Sequence, residues 1–137
     1  MKREARTLIV DDSRSVLRVM EKILNDLGIT GVAKAGNGLQ AVELFAGALR
    51  SGTPYSLVFL DIIMPVMDGQ EALLRMRALE REAGIAGSDR ATIIMASSRH
   101  SPEDMMRALV EGDCTDYLVK PFDDEDLRGM LVRYGFV

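Results

Sequence analysis

Two hydrophobic rhythms alternate along the chain, and no other feature constrains the fold as much. Short apolar runs at residues 7–10, 56–60, 92–96 and 117–119 are too brief for helices and read as buried strands; a weaker one lies at 32–35, behind Gly31. Between them, apolar residues recur at helical spacing. Val16, Leu17, Met20, Ile23, Leu24 and Leu27 form one such face, stopped by Gly28. Ala41, Val42, Phe45 and Leu49 form a second; Ala72, Leu73, Met76, Leu79 and Ala83 a third, ended by Gly84. Ser101-Pro102 opens a fourth, since serine caps a helix and proline suits its first position. Met105, Leu109 and Val110 follow, up to Gly112, and Leu127, Met130, Leu131 and Tyr134 form a fifth. Residues 81–91, with Gly84, Gly87 and Ser88, read as a surface loop.

Strands joined by helical crossovers run parallel, and right-handed crossovers put helices on both faces. The expectation is an α/β doubly wound, five-stranded parallel sheet with five helices. A length of 137 residues suits one domain, here 1–137, and 47% apolar with 28% charged residues suits a globular chain. The net charge of −4, from 17 basic and 21 acidic residues, disfavours nonspecific nucleic-acid or anionic-membrane binding. A single cysteine, Cys114, excludes an intrachain disulfide and a multi-cysteine zinc site, and it reads as a buried small hydrophobe. No apolar run is long enough to span a membrane, and the charged start with only Leu8–Val10 behind it makes no secretion signal. A cytoplasmic protein is the default.

Open parallel sheets build their sites at the carboxyl ends of the strands. Those ends carry Asp11-Asp12, Asp61, Ser97-Ser98 and Lys120-Pro121. Crowded carboxylates repel one another unless a cation joins them, and hard oxygen ligands suit Mg²⁺. A lysine offers a compact charge for a phosphoryl oxygen, a hydroxyl can donate to another, and a carboxylate can itself be the nucleophile. Each residue alone has a plainer reading. Asp12 reads as the N-cap of the first helix, Asp61 as a loop carboxylate, Ser97 as a strand-end hydroxyl and Lys120 as a solvated lysine. Met64-Pro65 and Asp68-Gly69 mark a loop and a turn. Their joint placement at successive strand ends is what the plainer readings do not explain. Elsewhere, His100 reads as an exposed loop residue, and residues 123–126 as the capped, solvated start of the last helix. The adjacent Met105 and Met106 cannot both face inward.

Four motifs in order resemble the receiver domain of two-component response regulators, the chemotaxis type included. They are Leu8-Ile9-Val10-Asp11-Asp12-Ser13; Leu60-Asp61-Ile62-Ile63-Met64-Pro65 continuing to Asp68-Gly69; Ile93-Ile94-Met95-Ala96-Ser97; and Asp116-Tyr117-Leu118-Val119-Lys120-Pro121-Phe122. The resemblance implies the flavodoxin-like strand order 2-1-3-4-5 and a phosphorylatable switch. Asp61 would accept a phosphoryl group from a sensor histidine kinase or phosphotransfer protein. Asp11 and Asp12 would hold Mg²⁺ with Asp61 and the backbone carbonyl of Ile63, Asp12 directly and Asp11 mostly through water. Ser97 and Lys120 would bind the phosphoryl group, behind a cis Lys120-Pro121 bond, and Tyr117 would turn inward with Ser97. The face of helix four, strand five and helix five would then change its affinity for a downstream protein target.

Three positions and one stretch depart from the family pattern. Ile63 stands where a polar residue is frequent, and Arg99 follows Ser97 by two; both positions tune phosphoryl lifetime in the family. Ser98 stands in place of alanine, and residues 111–115 are bulkier than usual. Other functions remain as alternatives: a receiver cut from a DNA-binding or enzymatic regulator, a Mg²⁺-dependent aspartyl-phosphate hydrolase, or a flavodoxin-like nucleotide binder. The hydrolase would want an aspartate at position 63, and the nucleotide binder a phosphate loop where Asp11-Asp12 stand.

Overall fold

A computed structural model describes residues 5–98 and 101–137. The chain runs β1 (Thr7–Val10), α1 (Arg14–Asp26), β2 (Ala33–Ala35), α2 (Gly38–Arg50), β3 (Leu57–Leu60) and α3 (Gly69–Glu82). It continues with β4 (Thr92–Ser97), α4 (Pro102–Met106), a π-type continuation of α4 over Arg107–Glu111, β5 (Asp116–Val119) and α5 (Asp124–Arg133). All pairings are parallel, in the order β2-β1-β3-β4-β5, as the resemblance implied.

Side chains along a strand point alternately to the two faces, so two cores form. Leu8, Val58, Leu60, Ile93 and Met95 pack on the side of α2 and α3, with Ala108 closing the layer from the end of α4. Ile9, Phe59, Ile94 and Leu118 pack on the side of α1 and α5. Strands buried on both faces read as continuous apolar runs, which is why four of them were visible at once.

Several boundaries differ from expectation, each for a local reason. Asp12 is not the cap of α1: the Ser13 hydroxyl accepts the Val16 N–H, while the Ser13 N–H bonds the Asp11 carboxylate at 2.9 Å. Ser56 precedes β3 because it pairs with Arg6, its N–H reaching the Arg6 carbonyl at 2.9 Å. Helix α3 runs into the expected loop as far as Glu82, because the Glu80 carboxylate is pinned by the Ala91 N–H at 2.7 Å. Ser101 caps α4 with Pro102 behind it, and Asp123 with Asp126 forms a capping box on α5, both as expected. Gly112 is favoured by space and not by its dihedrals: a Cβ there would lie 2.3 Å from Leu73 Cδ2 and would have to displace that buried side chain.

Candidate functional site

Register brings the strand ends level. Val10 pairs with both Ala35 and Leu60, Leu60 with Met95, and Ser97 with Val119, so Asp11, Asp61, Ser97 and Lys120 leave the sheet on one edge. Ligand oxygens of Asp11, Asp12 and Asp61 lie within 4.8 Å of one another. Asp11 and Asp61 are buried and Asp12 is exposed. Gly69 lets the start of α3 close over this edge: its N–H bonds the Ile62 carbonyl at 2.8 Å, and a Cβ would sit 1.9 Å from the Asp61 carbonyl oxygen.

Among the described residues, Lys120 is the cation paired with the cluster. Its Nζ lies 2.5 Å from Asp11 Oδ2 and 3.4 Å from Asp61 Oδ2, and the Lys120-Pro121 peptide is cis. Burial works against the charge on Lys120, but the bond to Asp11 and the field of Asp61 outweigh it and hold the ammonium above its usual pKa. Asp61 is shifted upward. Burial is the main cause and the Asp11 charge adds to it, against Lys120, the Ile62 N–H at 2.8 Å and Ser97. One ammonium does not neutralise three carboxylates, so the donor set fits a further hard cation.

Ser97, the last residue of β4, is fully buried and its side chain interacts with Asp61, whereas Ser98 just after it is exposed. Tyr117 lies inside, its phenol pushed up to about 12, chiefly by burial and next by Asp104, with an interaction with Ser97 opposing. Ile63 projects from the loop after β3 with 52% of its surface exposed. Arg99 and His100 lie outside the described residues. Sequence reasoning missed Gln70, whose buried side chain donates to the Asp104 carbonyl at 3.1 Å and ties α3 to α4. A glutamine in an amphipathic helix carries no signal of that.

Comparison with known proteins agrees with this geometry. The family model of the response regulator receiver domain matches residues 7–132. A probable histidine kinase 2 of Oryza sativa is 33% identical over 125 residues, covering 85% of this chain but 11% of the relative's length. The receiver domain of Saccharomyces cerevisiae Ssk1, solved in complex with the histidine phosphotransfer protein Ypd1, superposes with a TM-score of 0.83 at 28% identity. That match covers 98% of this chain and 91% of the other. The Borrelia burgdorferi CheX–CheY–BeF3–Mg complex matches with a TM-score of 0.81 at 26% identity, covering 97% and 90%. The chain belongs to the response regulator receiver family, and it is a signalling switch of the two-component phosphorelay type. No helix among the described residues is long and apolar enough to cross a membrane.

Proposed function

We propose that Asp61 is the phosphoacceptor of this receiver and that residues 1–137 act as one receiver domain. A carboxylate oxygen of Asp61 attacks the phosphorus of a phosphohistidine on a sensor kinase or phosphotransfer protein. The O–P bond forms, the N–P bond breaks, and the departing imidazole nitrogen keeps the electron pair and takes a proton. The observation that carries this reading is the buried Asp61 carboxylate facing Asp11, Asp12 and the Lys120 ammonium at one strand edge.

Asp12 and Asp61 directly, Asp11 mostly through water, and the Ile63 carbonyl would hold Mg²⁺. The ion would neutralise phosphoryl oxygens as charge builds on them. Lys120 is positioned to pair with one phosphoryl oxygen and Ser97 to donate to another. Beside Lys120 an open apolar groove is lined by Val16, Val19, Met20 and Ile23 of α1 with Pro121 and Phe122. It fits an apolar helix face of the phosphohistidine donor, next to the acceptor. The face of α4, β5 and α5 then answers to Ser97 and Tyr117 and changes its affinity for a downstream protein. The chain is a phosphoryl acceptor with slow self-hydrolysis and turns over no substrate of its own. Ile63 stands where a hydrolase of this chemistry needs a proton shuttle, and an isoleucine moves no proton. The same reading places the chain in the cytoplasm, where the thiol of Cys114 stays reduced.

The test is labelling by acetyl phosphate with Mg²⁺, read by intact mass. One phosphoryl group is expected on the wild type and none on Asp61→Asn. A label that survives Asp61→Asn refutes the assignment. Lys120→Ala should still fold, yet couple phosphorylation poorly to changes around Tyr117.

A further inference from the structure

Helices α2 and α3 pack on the same face of the sheet and run in the same direction, since each follows a strand of a parallel sheet. Their first turns are level. The Gly38 N–H bonds the Met67 carbonyl at 2.9 Å, and a Cβ on Gly38 would lie 2.9 Å from the carbonyl oxygen of Asp68, the N-cap of α3. Between the two helices runs an open groove. Its floor is apolar: Val42 and Ala46 come from α2, Ala78 and Leu79 from α3. Leu39, 41% exposed, stands one turn before Glu43 and carries apolar surface further along α2.

Four exposed charges rim this floor: Glu43 and Arg50 on α2, Arg75 and Glu82 on α3. On each helix the two charges are seven residues apart, two turns or about 10 Å along the axis. Their order is opposite. Along α2 the acid precedes the base, and along α3 the base precedes the acid. Glu43 stands five residues past Gly38 and Arg75 six past Gly69, so Glu43 is level with Arg75 at one end of the groove and Arg50 with Glu82 at the other. Glu43, Arg50 and Glu82 form no ion pair with another described residue, and Arg75 turns to Glu71 on its own helix at 2.9 Å.

We propose that the α2–α3 groove is an interface between two copies of this chain. A two-fold contact sets a surface against itself, so the surface must be complementary to its own image. This rim is. With the axis running along the helices, Glu43 meets Arg75 of the second copy and Arg50 meets its Glu82. With the axis running across them, Glu43 meets Arg50 of the second copy and Arg75 meets its Glu82. In both arrangements every rim charge faces its opposite and the two apolar floors come together. Had α3 carried its charges in the order of α2, an axis along the helices would set glutamate on glutamate and arginine on arginine. The alanines at 46 and 78 leave the floor without bulk, which lets two such faces approach. Exposed ion pairs contribute little each and are screened by salt, so the association is weak and salt-dependent. The contact lies on the opposite side of the sheet from α1 and α5, and it leaves the groove beside Lys120 open. It does not depend on the phosphoryl reading.

The experiment is sedimentation equilibrium of the full chain without a phosphoryl donor. At low ionic strength the mass should rise with concentration from that of one chain towards that of two, and it should rise less at high salt. Glu82→Arg sets arginine on arginine in either arrangement, twice by symmetry, and should raise the dissociation constant by about tenfold. Glu82 is exposed at the last position of α3, so this variant should melt as the wild type does. A second change then reads the axis. Adding Arg50→Glu to Glu82→Arg restores association if the axis runs along the helices, and adding Arg75→Glu restores it if the axis runs across them. Restoration by one of these swaps, with further loss in the other, supports the interface and fixes its geometry. A chain that stays monomeric up to about 1 mM overturns the inference. So does a dimer that Glu82→Arg leaves unchanged, or one that neither swap restores, because it then forms through another face.

Discussion

Arg77 and Glu80, three residues apart on α3, form a buried ion pair with NH1 2.7 Å from Oε1, both side chains 2% exposed. The remaining polar atoms of the pair are satisfied locally. Arg77 also donates to the carbonyls of Asp113 and Ala91 and towards the Thr115 hydroxyl, and Glu80 accepts the Ala91 N–H. One side-chain pair thus joins α3 to the start of β4 and to the turn leading into β5. Breaking such a pair from one side strands a buried charge, which costs about 3–5 kcal/mol. Arg77→Ala should therefore lower the urea midpoint steeply. Arg77→Leu combined with Glu80→Leu should recover part of the loss, since the stranded charge is gone. A single variant as stable as the wild type would contradict the pair's role.

Asp116 opens β5 and accepts the Tyr134 hydroxyl at 2.5 Å, the Tyr117 N–H at 2.8 Å and Arg133 at 2.9 Å. Burial pushes its carboxyl up, but these donors outweigh burial and hold it below the usual carboxylate range. A lowered carboxyl contributes stability above its unfolded pKa and loses it as pH falls through the folded one. Asp116→Asn should cost about 1–2 kcal/mol at neutral pH, because charge-assisted bonds become neutral ones. The gap to wild type should close as the medium is acidified below the ordinary carboxylate range. Denaturant melts across acid pH check this, and a gap that widens on acidification would reverse the sign.

Much of this was legible in the residue pattern, because strands buried on both faces leave continuous apolar runs and their polar ends mark the site edge. Asp11, Asp61, Ser97 and Lys120 come together for that reason. The buried pair was not legible, because the spacing of apolar residues along α3 carries no signal that the charged residues Arg77 and Glu80 between them are buried. The π turn was hidden as well: Met105 and Leu109 keep a spacing of four, which an α-helix explains equally well. The cap of α1 was misplaced on Asp12, and Ser13 holds it instead because the Asp11 carboxylate accepts the Ser13 N–H while the Ser13 hydroxyl accepts the Val16 N–H.

Asp12 is exposed while its two partner carboxylates are buried, so it is the group an arriving cation meets from solvent. Mg²⁺ should raise the melting temperature of the wild type by mass action on the folded state. Asp12→Ala should lose most of that rise, and Asp61→Asn a large part of it, while both remain folded without the ion. Calorimetry with and without Mg²⁺ decides the matter. An equal rise in Asp12→Ala would remove Asp12 from the metal site.

Ile63 sets the last expectation, the lifetime of the phosphoryl group on Asp61. Loss of that group needs a water in line behind phosphorus, oriented by a hydrogen bond. Ile63 stands two residues past Asp61 with half its surface exposed, and on the proposed reading its aliphatic side chain would cover part of the water's approach and offer no polar atom to hold it. A polar side chain there would supply that hydrogen bond, and general acid–base assistance of this kind typically contributes a factor of about 100 or more when fully aligned. Ile63→Asn, with no ionisable group and only a positioning bond to offer, should speed dephosphorylation by about tenfold. Arg99→Glu, which puts an anion two residues past Ser97 in the sequence, should speed it too. The measurement is the decay of phosphorylated protein after acetyl phosphate is removed, followed by intact mass. Decay unchanged in both variants would show that neither side chain governs access to phosphorus, and the lifetime would then be set by Lys120, Ser97 and the bound cation alone.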